Sequence, residues 1–221
     1  MIVTIDGPAG AGKSTAARKL AERLGFHFLD TGAMYRAVTL ACLQQRTDLH
    51  DVQAVTAIAR QVEIHFQGKR VFLNGQEVTS EIRTTEVTSE SQYIAGNNDV
   101  RAHLVKLQRQ IAAGMHVVTE GRDQGTVAFP HAECKFFLTA DPQERAIRRH
   151  RELQSRGEHC ELEEILKQQA DRDRRDEMRE YGTLKPADDA VMIDTSKLSP
   201  SEMVDLLERM VREKLLEPPL A

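Results

Sequence analysis

The sequence has few cysteines, no excess of positive charge and no long apolar run. Its three cysteines, Cys42, Cys134 and Cys160, show no CxxC spacing and cannot all pair, so we interpret them as reduced structural residues. A formal net charge of −4 provides no basic field for a polynucleotide partner. No apolar stretch reaches the ~18 residues that span a bilayer, and no charged leader precedes the first apolar run. These absences favour a cytoplasmic protein that binds neither nucleic acid nor membrane.

What is present is typical of one soluble α/β domain. The 221 residues, 40% of them hydrophobic and 29% charged, can bury a full core without disulfides or metal staples. Strand and helix patterns alternate, which predicts a central parallel sheet flanked by helices on both faces. The predicted strands of this sheet are 2–6, 26–29, 116–119, 135–139 and 190–194, and the predicted helices are 13–24, 33–46, 51–61, 80–95, 100–113, 141–155, 162–180 and 200–216. Gly25 is predicted to close the first helix, and Ser199 to cap the last.

The pattern changes after residue 61. VEIHF at 62–66 and RVFLNGQEVT at 70–79 look like antiparallel strands, with turn signals at Gln67-Gly68 and Asn74-Gly75. We interpret this region as a small β-containing insertion. The predicted division is therefore a core of 1–61 and 99–221 with an insertion at 62–98.

The strongest motif lies directly between the first predicted strand and the first predicted helix. Residues 7–14 read GPAGAGKS and match G-x-x-x-x-G-K-[ST], the phosphate-binding loop of nucleoside triphosphate enzymes. Its glycines let backbone N–H groups point at phosphate oxygens, and the helix starting at Lys13 adds its dipole. The Lys13 ammonium would neutralise β/γ-phosphate charge, and the Ser14 hydroxyl would ligate Mg²⁺. The alternative is a glycine-rich turn without a ligand, and the matched positions in this context argue against it.

Two further polar motifs follow predicted strands. DTGAMYR at 30–36 follows the second strand, and GRD at 121–123 follows the strand HVVT. Because ligands of parallel α/β sheets bind at the carboxyl ends of strands, Arg36, Arg122 and Asp123 are expected on the same rim as the phosphate loop. Taken singly, Arg36 could be a solvated helix residue, and Arg122 with Asp123 an exposed ion pair. Their convergence favours a second anionic substrate. A GTPase is disfavoured, because the chain lacks the N-K-x-D tetrad that reads guanine.

The predicted helix 162–180 is rich in charge. Arg172, Asp176 and Arg179 are spaced i, i+4, i+7, which would place them on one helical face. An aspartate between two arginines could hold a ribose diol while the arginines bind phosphate. A surface helix with internal salt bridges is the alternative.

The predicted helix 141–155 is strongly basic. Arg145 and Arg149 share a face of it, and the adjoining segment 153–162 is a candidate mobile lid over ATP. The alternative is an amphipathic helix whose arginines snorkel to the solvent.

Together these motifs resemble one family. TIDGPAGAGKST, LDTGAMYR, EGRDQGTV, FLTADPQERAIRR, RDRRDEMR and ADDAVMIDTSKLS follow one another over nearly the whole chain. The set is similar to bacterial cytidylate kinases. The resemblance implies a P-loop kinase fold with a short lid and an enlarged monophosphate-binding insertion at 62–98. It also implies transfer of the ATP γ-phosphoryl group to CMP or dCMP, with Mg²⁺ accompanying ATP.

The resemblance implies roles for matched positions. The implied ATP-binding residues are Gly7, Pro8, Ala9, Gly10, Ala11, Gly12, Lys13, Ser14, Thr15, Arg145 and Arg149. The implied CMP-binding residues are Thr31, Tyr35, Arg36, Ser91, Arg101, Arg122, Asp123, Arg172, Asp176 and Arg179. Within that set, Ser91, Arg101 and Asp123 read the cytosine edge, Arg172 and Asp176 contact the ribose, and Arg36, Arg122 and Arg179 hold the phosphate. Lys13, Arg122, Arg172 and Arg179 are implied as catalytic. Residues 96–99 depart from the family, whose members often have a proline and one residue fewer there.

The implied reaction needs no general base, because an acceptor phosphate with a second pKa of ~6 is already ionised near neutral pH. Catalysis would then consist of positioning and charge neutralisation in a closed site. Two alternatives stay open: a P-loop kinase with another acceptor such as AMP or UMP, and a nucleotide sensor without catalysis. A monomer is expected, since no large apolar surface is evident.

Overall fold

A computed structural model describes residues 1–155, 157–158 and 160–216. The chain divides into two compact units: residues 1–29 with the described part of 114–221, and residues 30–113. In chain order the elements are β1 (Ile2–Asp6), α1 (Lys13–Leu24), β2 (His27–Asp30), α2 (Thr31–Gln44), α3 (Val52–Gln61), β3 (Ile64–Gln67), β4 (Arg70–Leu73), β5 (Gln76–Glu77), α4 (Thr85–Gly96), α5 (Asn98–Ala112), β6 (Val117–Glu120), β7 (Cys134–Thr139), α6 (Pro142–Ser155), α7 (Leu162–Glu177), β8 (Val191–Asp194) and α8 (Pro200–Leu216), with a 3₁₀ turn at Glu81–Arg83 and a π-helical turn at Gln124–Ala128.

The first unit is built on a five-stranded sheet with the order β2-β6-β1-β7-β8. The pairs β1–β6, β1–β7 and β7–β8 are parallel, as predicted. Side chains alternate across β1, so Val3 and Ile5 enter a core with Leu20 of α1 and Leu207 of α8. The carboxylate of Asp6, on the other face, accepts backbone N–H groups from the π-helical turn. Because β1 and β6 are parallel neighbours, their carboxyl ends meet at one edge of the sheet.

Two predicted helix ends of the first unit are confirmed. Gly25 closes α1 in the left-handed conformation, with φ of 67°. Before α8, the Ser199 hydroxyl accepts the N–H of Glu202 at 3.3 Å, and the Glu202 carboxylate accepts the N–H of Ser199 at 2.9 Å. This reciprocal pair is a capping box, and Pro200 occupies the first helical position, where no N–H is needed.

The second unit contains the predicted antiparallel strands. β3, β4 and β5 form a three-stranded sheet in that order, with β4 antiparallel to both neighbours. The predicted continuous helix over 80–95 is wrong, because Thr84 leaves the helical conformation and separates the 3₁₀ turn from α4. The Thr84 hydroxyl accepts the N–H of Val87 at 3.4 Å, so a side-chain cap starts a new helix there.

Asn97 lies in the segment 96–99, where the sequence departs from the family pattern. Its Oδ1 accepts the N–H groups of Asp99 and Val100 and so caps α5. Its Nδ2 donates to the carbonyl oxygen of Val52 at 3.2 Å and to the hydroxyl of Thr56 at 3.1 Å. The segment therefore starts α5 and links it to α3, within the second unit.

Two further sequence predictions concern the lid and the membrane. Arg156 and His159 of the predicted lid 153–162 lie outside the described residues. None of the helices in the described part of the chain combines the length and apolar composition that a bilayer crossing requires.

The predicted division into a core and an insertion stays a prediction, and residues 62–98 all fall within the second unit.

Candidate active site

The predicted phosphate loop connects β1 to α1. At Gly7, φ is 144°, and a Cβ atom would lie 2.1 Å from the carbonyl oxygen of Leu138 in β7, so only glycine fits there. The buried Lys13 opens α1, and its Nζ donates to the carbonyl oxygen of Pro8 at 2.6 Å. The loop thus curls around the lysine ammonium at the amino end of a helix, which is the geometry expected for anion binding.

The charge of Lys13 is disfavoured in the absence of an anion. Burial, together with the positive charge of Arg122, lowers the pKa of Lys13 to about 7, although Glu120 and Asp6 oppose this shift. An incoming polyanion would restore the full charge of the ammonium. The electrostatics of the loop therefore favour a phosphate ligand.

Two carboxylates that the sequence analysis did not select lie at the ends of β1 and β6. Asp6 accepts the N–H groups of Gln124 at 2.9 Å and Gly125 at 2.7 Å, yet burial still raises its pKa to about 7. Glu120 accepts the hydroxyl of Ser14 at 3.0 Å. The sequence carried a signal for both residues, because Asp6 ends the predicted strand 2–6 and Glu120 directly follows the predicted strand 116–119. The strand-end rule used for Arg122 applies equally to them.

Arg122 and Arg179 bind one carboxylate between them. The Nε of Arg122 donates to Oδ2 of the buried Asp176 at 2.7 Å, and Nη2 of Arg179 lies 2.5 Å from Oδ1. Burial alone would raise the pKa of Asp176, but the charges of Arg122 and Arg179 outweigh it and hold that pKa below its usual value. Repulsion from Arg122 is the main cause that lowers the pKa of Arg172 to about 10. The cluster holds three cations around one carboxylate, an excess suited to a phosphate.

The prediction that Arg172, Asp176 and Arg179 share one helical face is wrong for Arg179. α7 ends at Glu177, and Met178 follows as the C-cap residue, so Arg179 lies beyond the helix and not on its face. Its guanidinium nevertheless reaches Asp176, which lies only three residues before it. Asp123, also predicted to face the acceptor, is buried where the π-helical turn begins.

The two basic-helix arginines have different environments. Arg145 is buried, and it donates to the carbonyl oxygens of Ala9 at 2.8 Å and Ala140 at 3.2 Å and pairs with Asp173. Arg149 is partly exposed and lies 2.9 Å from the carboxylate of Glu152. Their role in ATP binding stays a prediction. Asp173 was not selected from the sequence, where it is one acid in a charged run.

The second unit brings together some of the predicted acceptor residues. The Arg101 guanidinium lies 5.6 Å from the centre of the Tyr35 ring, and its Nη1 donates to the carbonyl oxygen of Ala95 at 3.2 Å. Arg36 lies 3.6 Å from the carboxylate of Asp30, whose Oδ1 also caps α2 by accepting the N–H of Ala33.

Arg36, Thr31 and Ser91 are the other predicted acceptor residues of this unit. The buried Nε of Arg36 has no hydrogen-bond partner among the described residues. Thr31 is buried at the start of α2. On α4, the Ser91 hydroxyl donates to the carbonyl oxygen of Thr88 at 2.7 Å. An arginine with an unpartnered buried nitrogen is available for a ligand.

Known proteins match this chain over nearly its whole length. The sequence model of the cytidylate kinase family matches residues 3–213. The chain is also 49% identical over 213 residues to the cytidylate kinase of Rhodopirellula baltica, an alignment that covers 96% of this chain and 93% of that one. This chain belongs to the cytidylate kinase family. The resemblance inferred from the motifs is confirmed, and with it the prediction of a kinase.

A second relative and a solved structure extend the comparison. The cytidylate kinase of Caldanaerobacter subterraneus subsp. tengcongensis is 44% identical over 211 residues, covering 96% of this chain and 94% of that one. A crystal structure of a Thermus thermophilus protein superposes with a TM-score of 0.51 at 18% identity, covering 98% of each chain. That likeness concerns the fold alone, and it agrees with the predicted α/β architecture.

Proposed function

We propose that this chain transfers the γ-phosphoryl group of ATP to CMP and dCMP, giving ADP and the corresponding diphosphate. One observation carries the proposal beyond family membership. The phosphate loop that leads to Lys13 follows β1, and Arg122 follows the parallel neighbour β6, so donor and acceptor phosphates can be neutralised at one edge of the sheet. The positive charge of Arg122 accordingly contributes to the lowered pKa of Lys13. The cluster of Arg122, Arg172, Asp176 and Arg179 suits an acceptor that carries both phosphate and ribose.

ATP is assigned to the phosphate loop. Backbone N–H groups of residues 7–15 and the Lys13 ammonium would bind its phosphates, with Arg145 and Arg149 as further predicted ligands. Mg²⁺ prefers a few protein oxygens together with substrate phosphates. The Ser14 hydroxyl and the Glu120 carboxylate, 3.0 Å apart, fit that preference and would hold the ion. When bound, Mg²⁺ would neutralise phosphate charge.

CMP is assigned to the residues that the resemblance implies. Arg36, Arg122 and Arg179 would bind its phosphate, and Arg172 and Asp176 its ribose. Thr31 and Tyr35 would contact the nucleotide, and Ser91, Arg101 and Asp123 would read the cytosine edge. Cytosine presents an amino donor beside two acceptors, and uracil presents a carbonyl in place of that amino group. A carboxylate acceptor with an arginine donor therefore favours cytosine.

The chemical step requires positioning more than proton transfer. The acceptor phosphate is already ionised near neutral pH, since its second pKa is ~6. Lys13 and the arginines would offset the negative charge of the transferring group, and exclusion of water would prevent ATP hydrolysis. No carboxylate of the site is assigned as a general base. Asp6 accepts N–H groups of the π-helical turn, and Glu120 would hold the cation together with Ser14.

The proposed function is tested by measuring ADP release in a coupled assay with MgATP and CMP, dCMP, UMP, AMP or no acceptor. We expect strong turnover with CMP and dCMP and little with the others. Preference for UMP or AMP would leave the phosphate loop in place but require new roles for Ser91, Arg101 and Asp123. ATP binding without turnover on any acceptor would favour the nucleotide sensor. The expectation of a cytoplasmic monomer stays a prediction, and light scattering tests its oligomeric part.

A further inference from the structure

A buried ion pair between Asp173 and Arg145 lies against the phosphate loop. Arg145 is a predicted ATP ligand, whereas Asp173 has no part in the reaction described above. Oδ1 of Asp173, on α7, accepts the backbone N–H of Ala9 at 2.9 Å, and Oδ2 pairs with Nη1 of Arg145 on α6. The same Nη1 donates to the carbonyl oxygen of Ala9 at 2.8 Å. The side chains of Asp173 and Arg145 are only 10% and 9% exposed. The N–H group and the carbonyl group of Ala9 are therefore both held by side chains, one from α7 and one from α6.

The loop also packs closely against these helices at Gly10. Gln169, one turn before Asp173, donates Nε2 to the carbonyl oxygen of Arg145 at 3.3 Å. A Cβ atom at Gly10 would lie 2.7 Å from that Nε2 and 3.0 Å from Cβ of Arg145. The approach is possible because position 10 has no side chain. The loop, α6 and α7 thus form one continuous contact.

α7 also carries two of the residues assigned to CMP. Arg172 directly precedes Asp173, and Asp176 lies three residues after it. One turn of helix is only about 5.4 Å long and is internally hydrogen-bonded, so these three residues move together. A shift of Ala9 would therefore also shift Arg172 and Asp176, the residues assigned to the acceptor.

We propose that Asp173 is a positioning residue that couples the two substrate sites. Through Ala9 and Arg145 it joins the phosphate loop to α7, so that a triphosphate in the loop sets the orientation of Arg172 and Asp176. The inference rests on the proposed function, because it takes those two residues as CMP ligands. Asp173 itself touches no reacting atom, and Arg145 balances its charge so that the carboxylate does not repel the phosphates.

Coupling of this kind has a thermodynamic signature. If ATP tightens CMP binding by a given factor, CMP must tighten ATP binding by the same factor. Couplings between sites in proteins are commonly about 5- to 150-fold. We expect about tenfold here, because the path is short and buried. A residue that only stabilised the fold would leave this factor unchanged.

The test is isothermal titration calorimetry with CMP, in the absence and presence of Mg²⁺ and a non-hydrolysable ATP analogue. The wild-type Kd for CMP is expected to fall about tenfold with the analogue, and the reverse titration should give the same factor. Asp173→Asn removes the charge but keeps the size, and we expect its factor to drop below about twofold. Asp171→Asn makes the same change at an exposed position of α7 and should keep the wild-type factor.

Each other outcome has a defined meaning. A wild-type factor near one, or an unchanged factor in Asp173→Asn, overturns the inference. Tighter analogue binding in Asp173→Asn with an unchanged factor would show a local charge effect and also overturns it. If Asp173→Asn does not fold, Arg145→Gln removes the same ion pair. Because Arg145 is also a predicted ATP ligand, the CMP titration of this variant is made at an analogue concentration that saturates it, and the same loss of coupling is expected. Absence of CMP binding by the wild type would refute the proposed function, whereas CMP binding without coupling refutes this inference alone.

Discussion

Two buried ionisable residues at the end of β1 and the start of α1 have pKa values displaced in opposite directions. Burial raises the pKa of Asp6 to about 7 and is the main cause that lowers the pKa of Lys13 to about 7. The common cause is loss of water, which disfavours the charged form of both acids and bases. Each residue therefore has a destabilised charge in the unliganded protein, and each gives a prediction at the scale of one side chain.

Lys13→Ala should lower kcat about 10²–10³-fold, because one donor aimed at the transferring phosphoryl group is lost. The fold should be retained, since the lowered pKa of Lys13 means that its charge does not stabilise the free protein. The measurement is steady-state turnover with CMP, with circular dichroism as the check on folding. Lys19→Ala, at an exposed position of the same helix, is the matched control. Turnover near the wild-type value would remove Lys13 from the phosphate site.

Asp6→Asn should change how stability depends on pH. Because the folded pKa of Asp6 is raised to about 7, the native state holds a proton that the unfolded state releases between about pH 4 and 7. The wild-type free energy of unfolding should therefore fall, relative to that of the variant, as pH rises through this window. The relative change should be on the order of 2–4 kcal/mol between pH 4 and 8. Urea unfolding at several pH values measures it, and parallel curves would contradict it.

At the scale of elements, α7 connects three parts of the first unit. Its buried side chains include Gln169 and Asp173, which face the phosphate loop and α6, and Asp176, which pairs with Arg122 and Arg179. From its sequence alone, α7 would be described as a solvated, charged helix. In the structure one of its polar sides is buried. Its acids at positions 173 and 176 are each satisfied by arginines from other segments.

Asp176→Ala should weaken CMP binding. The ribose loses a charged hydrogen-bond partner, and such bonds contribute about 1.5–3 kcal/mol, so KM for CMP should rise about 10- to 100-fold. KM for ATP should change less than about twofold, because Asp176 is not among the phosphate-loop contacts. Asp171→Ala on the exposed side of α7 is the control. An unchanged KM for CMP would return Asp176 to a purely structural ion pair.

The packing of α8 against α1 and the sheet gives a second prediction at this scale. Leu207 is fully buried in the core that includes Val3, Ile5 and Leu20. Leu207→Ala should lower the free energy of unfolding by about 2–5 kcal/mol, through lost burial and the remaining cavity. Leu215→Ala, later on the same helix and 44% exposed, should cost less than about 0.5 kcal/mol. Chemical denaturation compares the two, and equal losses would be inconsistent with this core.

At the scale of the whole molecule, the first unit holds the phosphate loop, the sheet core and the arginine cluster. A ligand that binds only the folded chain should therefore stabilise it. At a concentration of 100 times Kd, a Mg²⁺–ATP analogue should add about 2.7 kcal/mol. For a chain of this length that corresponds to a rise of about 5–10 °C in Tm. Scanning calorimetry measures this rise in Tm. Lys13→Ala should show a much smaller rise with the same analogue. A rise equal to that of the wild type would argue against binding at the phosphate loop.

Local signals account for the structural features that were predicted correctly. A glycine-rich sequence followed by Lys13 specifies the phosphate loop, because few other residues permit its backbone. Asn74-Gly75 specifies a turn, and Ser199 with Glu202 specifies a cap, for reasons that lie within four residues. Thr84 was missed because a cap residue inside a helical pattern is visible only once the backbone departs from the helix.

The sequence by itself determined the α/β class, the phosphate loop, the order of the motifs and, through them, the family. These properties depend on spacing along the chain, which the sequence states directly. Only the tertiary structure decided that Arg122 and Arg179 share Asp176, that Glu120 meets Ser14, and that Asp173 and Arg145 hold Ala9. A buried charge needs a partner because it has lost its water, and here that partner comes from a different segment of the chain. The pairing therefore depends on how strands and helices are brought together, which no local pattern records.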